Sequence, residues 1–478
     1  MVSLSLLSGP EKPQLSAGNS ARILMTLRYQ HFITPEGTKE FPKVVRGEGV
    51  YIWDSTGRRL LDGSSGAISV NVGHAHPRVL EAMRDQMGRI IYAHSMRWDN
   101  DPNERLAARL ERLSNWNYGA AFFVSGGSEA NEAAIKFARQ VAVARGQTSR
   151  FKIVSRIPSY HGATTALLGI TGDPDYAAAY KPMFVDMPKI DAPLMYRRPA
   201  GESEQDVVDR CVRQLEETIL REGPETILAF MIEPVGGVST GALVSPDSYS
   251  TRIREICDRY GVMLIYDEIM SGAGRTGKFL AGHHWPDCRP DIVTLAKGVS
   301  GSYAPLGVVL ASADMVSDVR RSGGFKHGHT YSANPVSCAA SDMVLRVVEE
   351  DGLMERARNL GALIKARLGD IKGKVGIIGD IRGLGLHMAV EIVADQVTKE
   401  PFPAEIRASE RIGMICRDHG LLLFSRRTAG GSFGEWLMVC PPLTISEAEI
   451  EEMMESFTAG IRAFEREISA KPELRASA

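Results

Sequence analysis

The chain lacks several things that would each have assigned it a class. Its six cysteines, at 211, 257, 288, 338, 416 and 440, form no CxxC pair, so neither a zinc site nor a disulfide framework is indicated. No apolar run approaches the roughly 18 residues of a membrane span, so a membrane protein is not expected. Charge of neither sign is in excess: 56 Lys and Arg against 58 Asp and Glu leave a net charge of -2. That balance gives no electrostatic case for nucleic acid or an anionic membrane as a partner. The first twenty residues lack the basic start and sustained apolar core of a signal peptide, and a reduced, cytoplasmic setting is expected. There is no internal repeat and no long low-complexity tract.

What remains is a globular composition, 44% hydrophobic and 24% charged, over 478 residues, too many for one ordinary core. Two apolar runs organise it. Val262-Met-Leu-Ile-Tyr266 ends in Asp267-Glu268, and Ile292-Val-Thr-Leu-Ala296 ends in Lys297-Gly298. Short continuous apolar runs are what a sheet covered on both faces requires. Each run delivers one charge at its carboxyl end, where open α/β sheets place ligands. Buried unpaired charge costs several kcal/mol, so both Asp267 and Lys297 need partners. They pair with each other, or a cofactor lies between them and offers a ring nitrogen to one and an aldehyde to the other.

From about 119 to 330 strands alternate with helices, which argues for a mostly parallel sheet. Expected strands are 120–124, 151–155 and 227–232, with helices over 128–144, 207–220 and 248–260. Before this region, 47–62 reads as a hairpin, followed by helices near 77–89 and 103–113. After Pro335 come helices (335–349, 353–369, 404–418, 446–467) and strands near 375–378, 384–392, 421–424 and 436–439. The expected organisation is an arm over 1–25, the N-terminal part of a small α+β domain over 26–72, a large domain over 73–334 and the rest of the small domain over 335–478.

The chemistry-bearing motifs sit at the carboxyl ends of strands. Gly126-Gly127-Ser128 opens a helix, where close backbone approach and unpaired N–H groups suit a phosphate, although a Gly turn with a Ser cap also serves a purely structural purpose. Tyr160 could stack on a planar cofactor or simply fill core, and His161 reads as a hydrogen-bonding group behind it. Glu233-Pro234 ends the 227–232 strand with a carboxylate that is structural or catalytic. His327 and His329 have no third His or Cys nearby, so no metal is expected, and Thr330 reads as a phosphate donor. Arg426 and Arg427, placed in a loop after the 421–424 strand, are either a surface pair or a carboxylate-binding fork.

In this order the motifs closely resemble the class III aminotransferases, fold-type I enzymes dependent on pyridoxal 5′-phosphate, over roughly residues 30 to 465. Gly49-Val-Tyr-Ile-Trp-Asp54, Gly73-His-Ala-His-Pro77, Ser128-Glu-Ala-Asn-Glu-Ala-Ala-Ile-Lys136, Gly274-Arg-Thr-Gly277 and Pro441-Pro-Leu-Thr-Ile445 carry the resemblance. It implies that Lys297 forms the Schiff base and shuttles the proton, and that Asp267 holds the pyridine nitrogen protonated. Tyr160 and Ile269 would cover the two ring faces, and Gly126, Gly127 and Ser128 would bind the phosphate. His161 and Glu233 would complete the cofactor site. Thr330 would add a phosphate contact from a second subunit, because sites of this family lie at a dimer interface. A homodimer, or a dimer of dimers, is therefore expected.

Departures bear on the substrate. Members that use 2-oxoglutarate carry a Glu in the loop after Glu-Pro, and Val238 stands there instead. Ile68 stands where amine:pyruvate members often place Trp, and either Arg426 or Arg427 would meet a substrate carboxylate. The expectation is ping-pong transfer from an amine or ω-amino acid to a 2-oxo acid, pyruvate. The alternatives are a 2-oxoglutarate-using member, an aminomutase, epimerase or decarboxylase on the same scaffold, or a catalytically silent binding protein.

Overall fold

A computed structural model describes residues 42–470. The arm expected over 1–25, and residues 26–41 of the segment after it, lie outside the described residues. The described chain opens with β1 (Val44–Glu48), β2 (Tyr51–Asp54) and β3 (Arg59–Asp62). The next seven strands are β4 (Tyr118–Val124), β5 (Lys152–Ile157), β6 (Lys189–Asp191), β7 (Ile227–Ile232), β8 (Met263–Asp267), β9 (Ile292–Leu295) and β10 (Gly307–Ser312). The last five are β11 (Ile378–Leu384), β12 (His387–Ile392), β13 (Leu421–Leu422), β14 (Phe424–Thr428) and β15 (Gly434–Val439).

The central sheet has the order β4-β10-β9-β8-β7-β5-β6. All its pairings are parallel except the two made by β10. Every residue of β7, β8 and β9 is buried, which is why these strands read as unbroken apolar runs. Each fully buried Val, Leu or Ile there contributes about 1.5–3 kcal/mol relative to exposure. The helix Gly127–Ala144 lies on one face and buries Ala130, Ala133, Ala134, Phe137, Ala138 and Val141, a three-to-four-residue stripe of small side chains that lets it approach closely. Helices Glu204–Glu222 and Asp247–Tyr260 cover the opposite face with Val208, Leu215, Ile253 and Ile256.

Two smaller sheets stand beside it, β1-β2-β3-β13 and β11-β12-β15-β14. Leu421 and Leu422 pair in parallel with Leu61 and Asp62, so the first hairpin is completed by residues from late in the chain. Three expectations need correction. A strand expected at 375–378 begins only at Ile378, and its partner begins at His387, because Gly383 (φ 127°) and Gly385 (φ 56°) turn the chain between them. The 421–424 run divides into β13 and β14, and β14 continues to Thr428, so Arg426 and Arg427 are strand residues paired with Trp436 and Glu435 rather than loop residues. Finally, Gly307–Ser312 forms an antiparallel strand that the reading along the chain left unassigned.

Candidate active site

The carboxyl ends of β7, β8 and β9, the turn after β4 and the loop after β5 converge on a cavity of about 560 Å³. Lys297 and Asp267 both line it, together with Gly126, Gly127, Ser128, Tyr160, His161, Glu233 and Ile269. Nine of the residues singled out from the sequence are thus brought to one place. Lys297 follows β9 with φ 43°, a left-handed backbone that an L side chain rarely adopts, and the turn aims its amine at the cavity. Burial pushes the Lys297 amine below its usual range, while the nearby Asp267 and Glu233 carboxylates oppose that shift.

Asp267 does not pair with Lys297. Its ion-pair partner is His161, whose Nδ1 lies 2.9 Å from Oδ2. Asn131 Nδ2 donates to the same oxygen at 2.7 Å, and the Ile269 N–H donates to Oδ1 at 3.1 Å. The direct salt bridge between the two strand ends is therefore absent among the described residues. Asn131 is a member of this network that reading the sequence did not single out. It falls within the Ser128–Lys136 motif, but nothing in a helical stripe reveals that one amide on it meets two strand ends.

Gly126 precedes the Gly127–Ala144 helix and gives it no side-chain cap, so the first-turn N–H groups stay free. A Cβ added to Gly126 would meet nothing within 4 Å, whereas one on Gly127 would touch Ile269 at 3.0 Å. The turn is thus open on one side and packed on the other, and it presents the positive end of an 18-residue helix. Ser128 Oγ accepts from the Ala163 N–H at 3.2 Å. Glu233 accepts from the N–H groups of Gly237 (2.8 Å) and Tyr160 (3.3 Å), and burial pushes its carboxyl up. Burial likewise raises the Tyr160 hydroxyl, whose ring lies 4.9 Å from that of Tyr176.

Four candidates stand outside the cavity lining. Ile68, with φ 56°, turns into an apolar cluster with Ala242, Met270, Trp436 and Met438, and its neighbours Ala67 and Ser69 face the cavity instead. Arg426 is engaged by Asp173 Oδ2 at 2.7 Å and Asp175 Oδ2 at 2.9 Å, with its guanidinium 4.8 Å from the Tyr176 ring centre. Arg427 points the other way, to Glu435 at 2.7 Å and the Phe402 carbonyl at 2.9 Å. Thr330 is exposed and lines no part of this cavity. Among the described residues no three His, Cys, Asp or Glu side chains group to hold a metal ion.

A mostly parallel sheet carrying an unpaired lysine, a caged aspartate and an open helix start at one edge is the architecture of the fold-type I pyridoxal-phosphate transferases. Residues 33–461 match the family described as Aminotransferase class-III, and the chain belongs to that family. It is 36% identical over 440 residues to the uncharacterized aminotransferase YodT of Bacillus subtilis (strain 168), covering 92% of this chain and 99% of that one. It is 32% identical to the probable gamma-aminobutyrate transaminase 3 of Oryza sativa subsp. indica, covering 91% and 85%. Among solved structures, an omega transaminase from Pseudomonas jessenii in complex with PMP superposes with a TM-score of 0.84 at 30% identity, covering 90% of this chain and 94% of that one. An (S)-enantioselective omega-transaminase from Thermomicrobium roseum gives 0.85 at 36% identity, covering 91% and 97%. The chain is an enzyme, a transaminase, and its family uses pyridoxal 5′-phosphate.

Proposed function

We propose that the enzyme binds pyridoxal 5′-phosphate in this cavity and moves an amino group from an amine or ω-amino acid to pyruvate in a ping-pong cycle. The observation that carries the reading is the pair of strand ends: Lys297 and Asp267 line one cavity without pairing with each other. Gly126, Gly127 and Ser128 would hold the phosphate, Asp267 the ring nitrogen, and Tyr160 and Ile269 the two ring faces. His161 and Glu233 would support them from behind. When bound, the cofactor supplies an electron sink that stabilises negative charge on the substrate carbon next to the amine. Lys297 Nζ, whose pKa burial lowers, would take the proton from that carbon and pass it to the cofactor within the same half-reaction, and the second half would run the same transfer in reverse. The donor's carbonyl product leaves before the oxo acid enters, so one set of residues serves both substrates.

The substrate class rests on the apolar part of the cavity lining. Ala67, Val238, Met270 and Phe424 line it, and among the described lining residues no arginine or second lysine is present. With Val238 in place of a Glu and Arg426 occupied by Asp173 and Asp175, an acceptor with one carboxylate suits the cavity better than one with two. We further propose a homodimer, or a dimer of dimers, in which Thr330 of the partner subunit completes the phosphate site. Its exposure here, beside a 68% exposed Tyr331, supports that reading. The parallel pairing of β3 with β13 supports a small domain drawn from 26–72 and 335–478 around a large one at 73–334. Six buried, unpaired cysteines suit a cytoplasmic setting.

A panel of amine donors and oxo acids, read by the spectra of each half-reaction, tests the proposal. Stoichiometric pyruvate consumption with alanine formed is the expected result. Use of 2-oxoglutarate with pyruvate inert would move the acceptor assignment. Turnover of an amine with no oxo acid consumed would instead point to an aminomutase, epimerase or decarboxylase.

A further inference from the structure

Asn131 is fully buried on the Gly127–Ala144 helix, and each hydrogen-bonding position of its amide that the surroundings address is filled. Nδ2 donates to Asp267 Oδ2 and to the His161 carbonyl, both at 2.7 Å, and Oδ1 accepts from Thr294 Oγ1 at 2.6 Å. A carboxylate and a backbone carbonyl only accept, so the nitrogen must face them and the oxygen must face Thr294. The amide therefore has one orientation. Thr294 sits on β9 three residues before Lys297, directly opposite Asp267 in the parallel register of β8 and β9.

These contacts cross-link three elements. The helix whose first turn carries Gly127 and Ser128, the strand that ends in Asp267 and the strand that leads to Lys297 meet at one side chain. We infer that Asn131, held by Thr294, is the positioning residue that fixes the Asp267 carboxylate relative to the phosphate turn and to Lys297. A leucine would fill the same volume but offer no donor. Asp267 would then keep only the His161 ring and the Ile269 N–H, and nothing would hold its side chain in register with the helix. Nothing in this arrangement requires Asn131 to touch substrate or cofactor.

The inference rests on the cofactor reading above, and its test is built to fail separately. Apoprotein is titrated with pyridoxal 5′-phosphate and with an analogue in which C–H replaces the ring nitrogen, for the wild type, Asn131→Leu and Thr294→Val. Wild type is expected to prefer the natural cofactor. Asn131→Leu is expected to weaken that cofactor by about tenfold, the size of a hydrogen bond to a charged group. The analogue, which offers Asp267 nothing to bind, should lose less than about twofold. Thr294→Val keeps shape and strand propensity at its position, so it should fold even where Asn131→Leu does not, and it should show a smaller loss with the same selectivity. Equal losses for both ligands, or none for either, overturn the inference and leave the cofactor site standing. A wild type that does not discriminate between the ligands overturns the ring orientation and the inference with it.

Discussion

Lys297 combines two features that rarely occur together in a lysine, a left-handed backbone (φ 43°) and a location in which burial lowers its pKa. Both serve a free amine aimed inward. Lys297→Ala is expected to abolish transamination by at least about a thousandfold while circular dichroism stays that of the wild type. The lowered pKa has a sign that can be checked. The rate at which apoprotein captures pyridoxal phosphate should rise with pH through a midpoint below 10.5, and Glu233→Gln should move that midpoint further down, because the Glu233 carboxylate is one of the charges holding it up. A midpoint unchanged or raised in that variant contradicts the argument. His387 offers a second test. Its ring is buried, donates from Nε2 to the Gly236 carbonyl at 2.9 Å, and is pushed down to about 4 by burial. The unfolded chain protonates first as pH falls below 6.5, so His387 costs stability between 6.5 and 4 on the order of 3 kcal/mol. Glu268, raised to about 7 by burial, acts in the opposite sense, lost as pH rises from 4.5 through 7. Denaturant titrations should therefore show His387→Gln less destabilised than wild type on going from pH 7 to pH 4.5.

At the scale of elements, the Gly126-Gly127 turn packs against a strand the sequence did not announce. Gly307 begins β10, and a Cβ there would stand 2.3 Å from the Gly126 carbonyl oxygen. Gly307→Ala must therefore push the turn or bend the strand, at a cost of about 1–3 kcal/mol. Cofactor affinity measured by equilibrium dialysis should fall with it, and wild-type affinity would show that the turn does not depend on β10. What was legible in the sequence follows from the same physics. Asp267 and Lys297 could be found because a covered parallel strand must be apolar throughout, so any charge closing it stands out. β10 went unnoticed because its Gly-Val-Val-Leu-Ala run is short and pairs antiparallel, with β4 far back in the chain and with β9 just before it, where the strand–helix alternation leads one to expect parallel pairing. Ile68, put at the pocket by the family resemblance, lies outside the cavity lining because its backbone at φ 56° turns the side chain into an apolar cluster. Arg426 was read as a loop residue because two adjacent charges break the apolar run of 421–424, although the backbone goes on to pair with Trp436.

For the whole molecule, the exposed apolar side chains matter most. Met96 is 86% exposed and Trp98 71%, in the same segment as exposed Ile90 and Ile91. Exposed apolar side chains gathered on one segment suit the interface of the proposed dimer. Sedimentation is expected to give at least twice the 52.2 kDa chain mass, and Trp98→Glu to shift it towards one chain with a loss of cofactor affinity. A wild type that sediments as one chain removes the proposed dimer.

The pairing of Leu61 and Asp62 with Leu421 and Leu422 has a consequence for synthesis. About 360 residues separate the partners, so on a ribosome adding about 5–20 residues each second the first hairpin waits tens of seconds for its last strand. Arg275 waits a shorter time, its late partners lying some 165 residues on. Buried without an acidic partner within 4 Å among the described residues, it donates to Asn71 Oδ1 at 2.6 Å, to the Cys440 carbonyl at 3.2 Å and to that of Pro441. Throughout that interval the central sheet can close around its cavity while the hairpin stays a substrate for chaperones or proteases. Nascent chains stalled before residue 421 should be cut within 44–62 by a protease that spares the finished enzyme there.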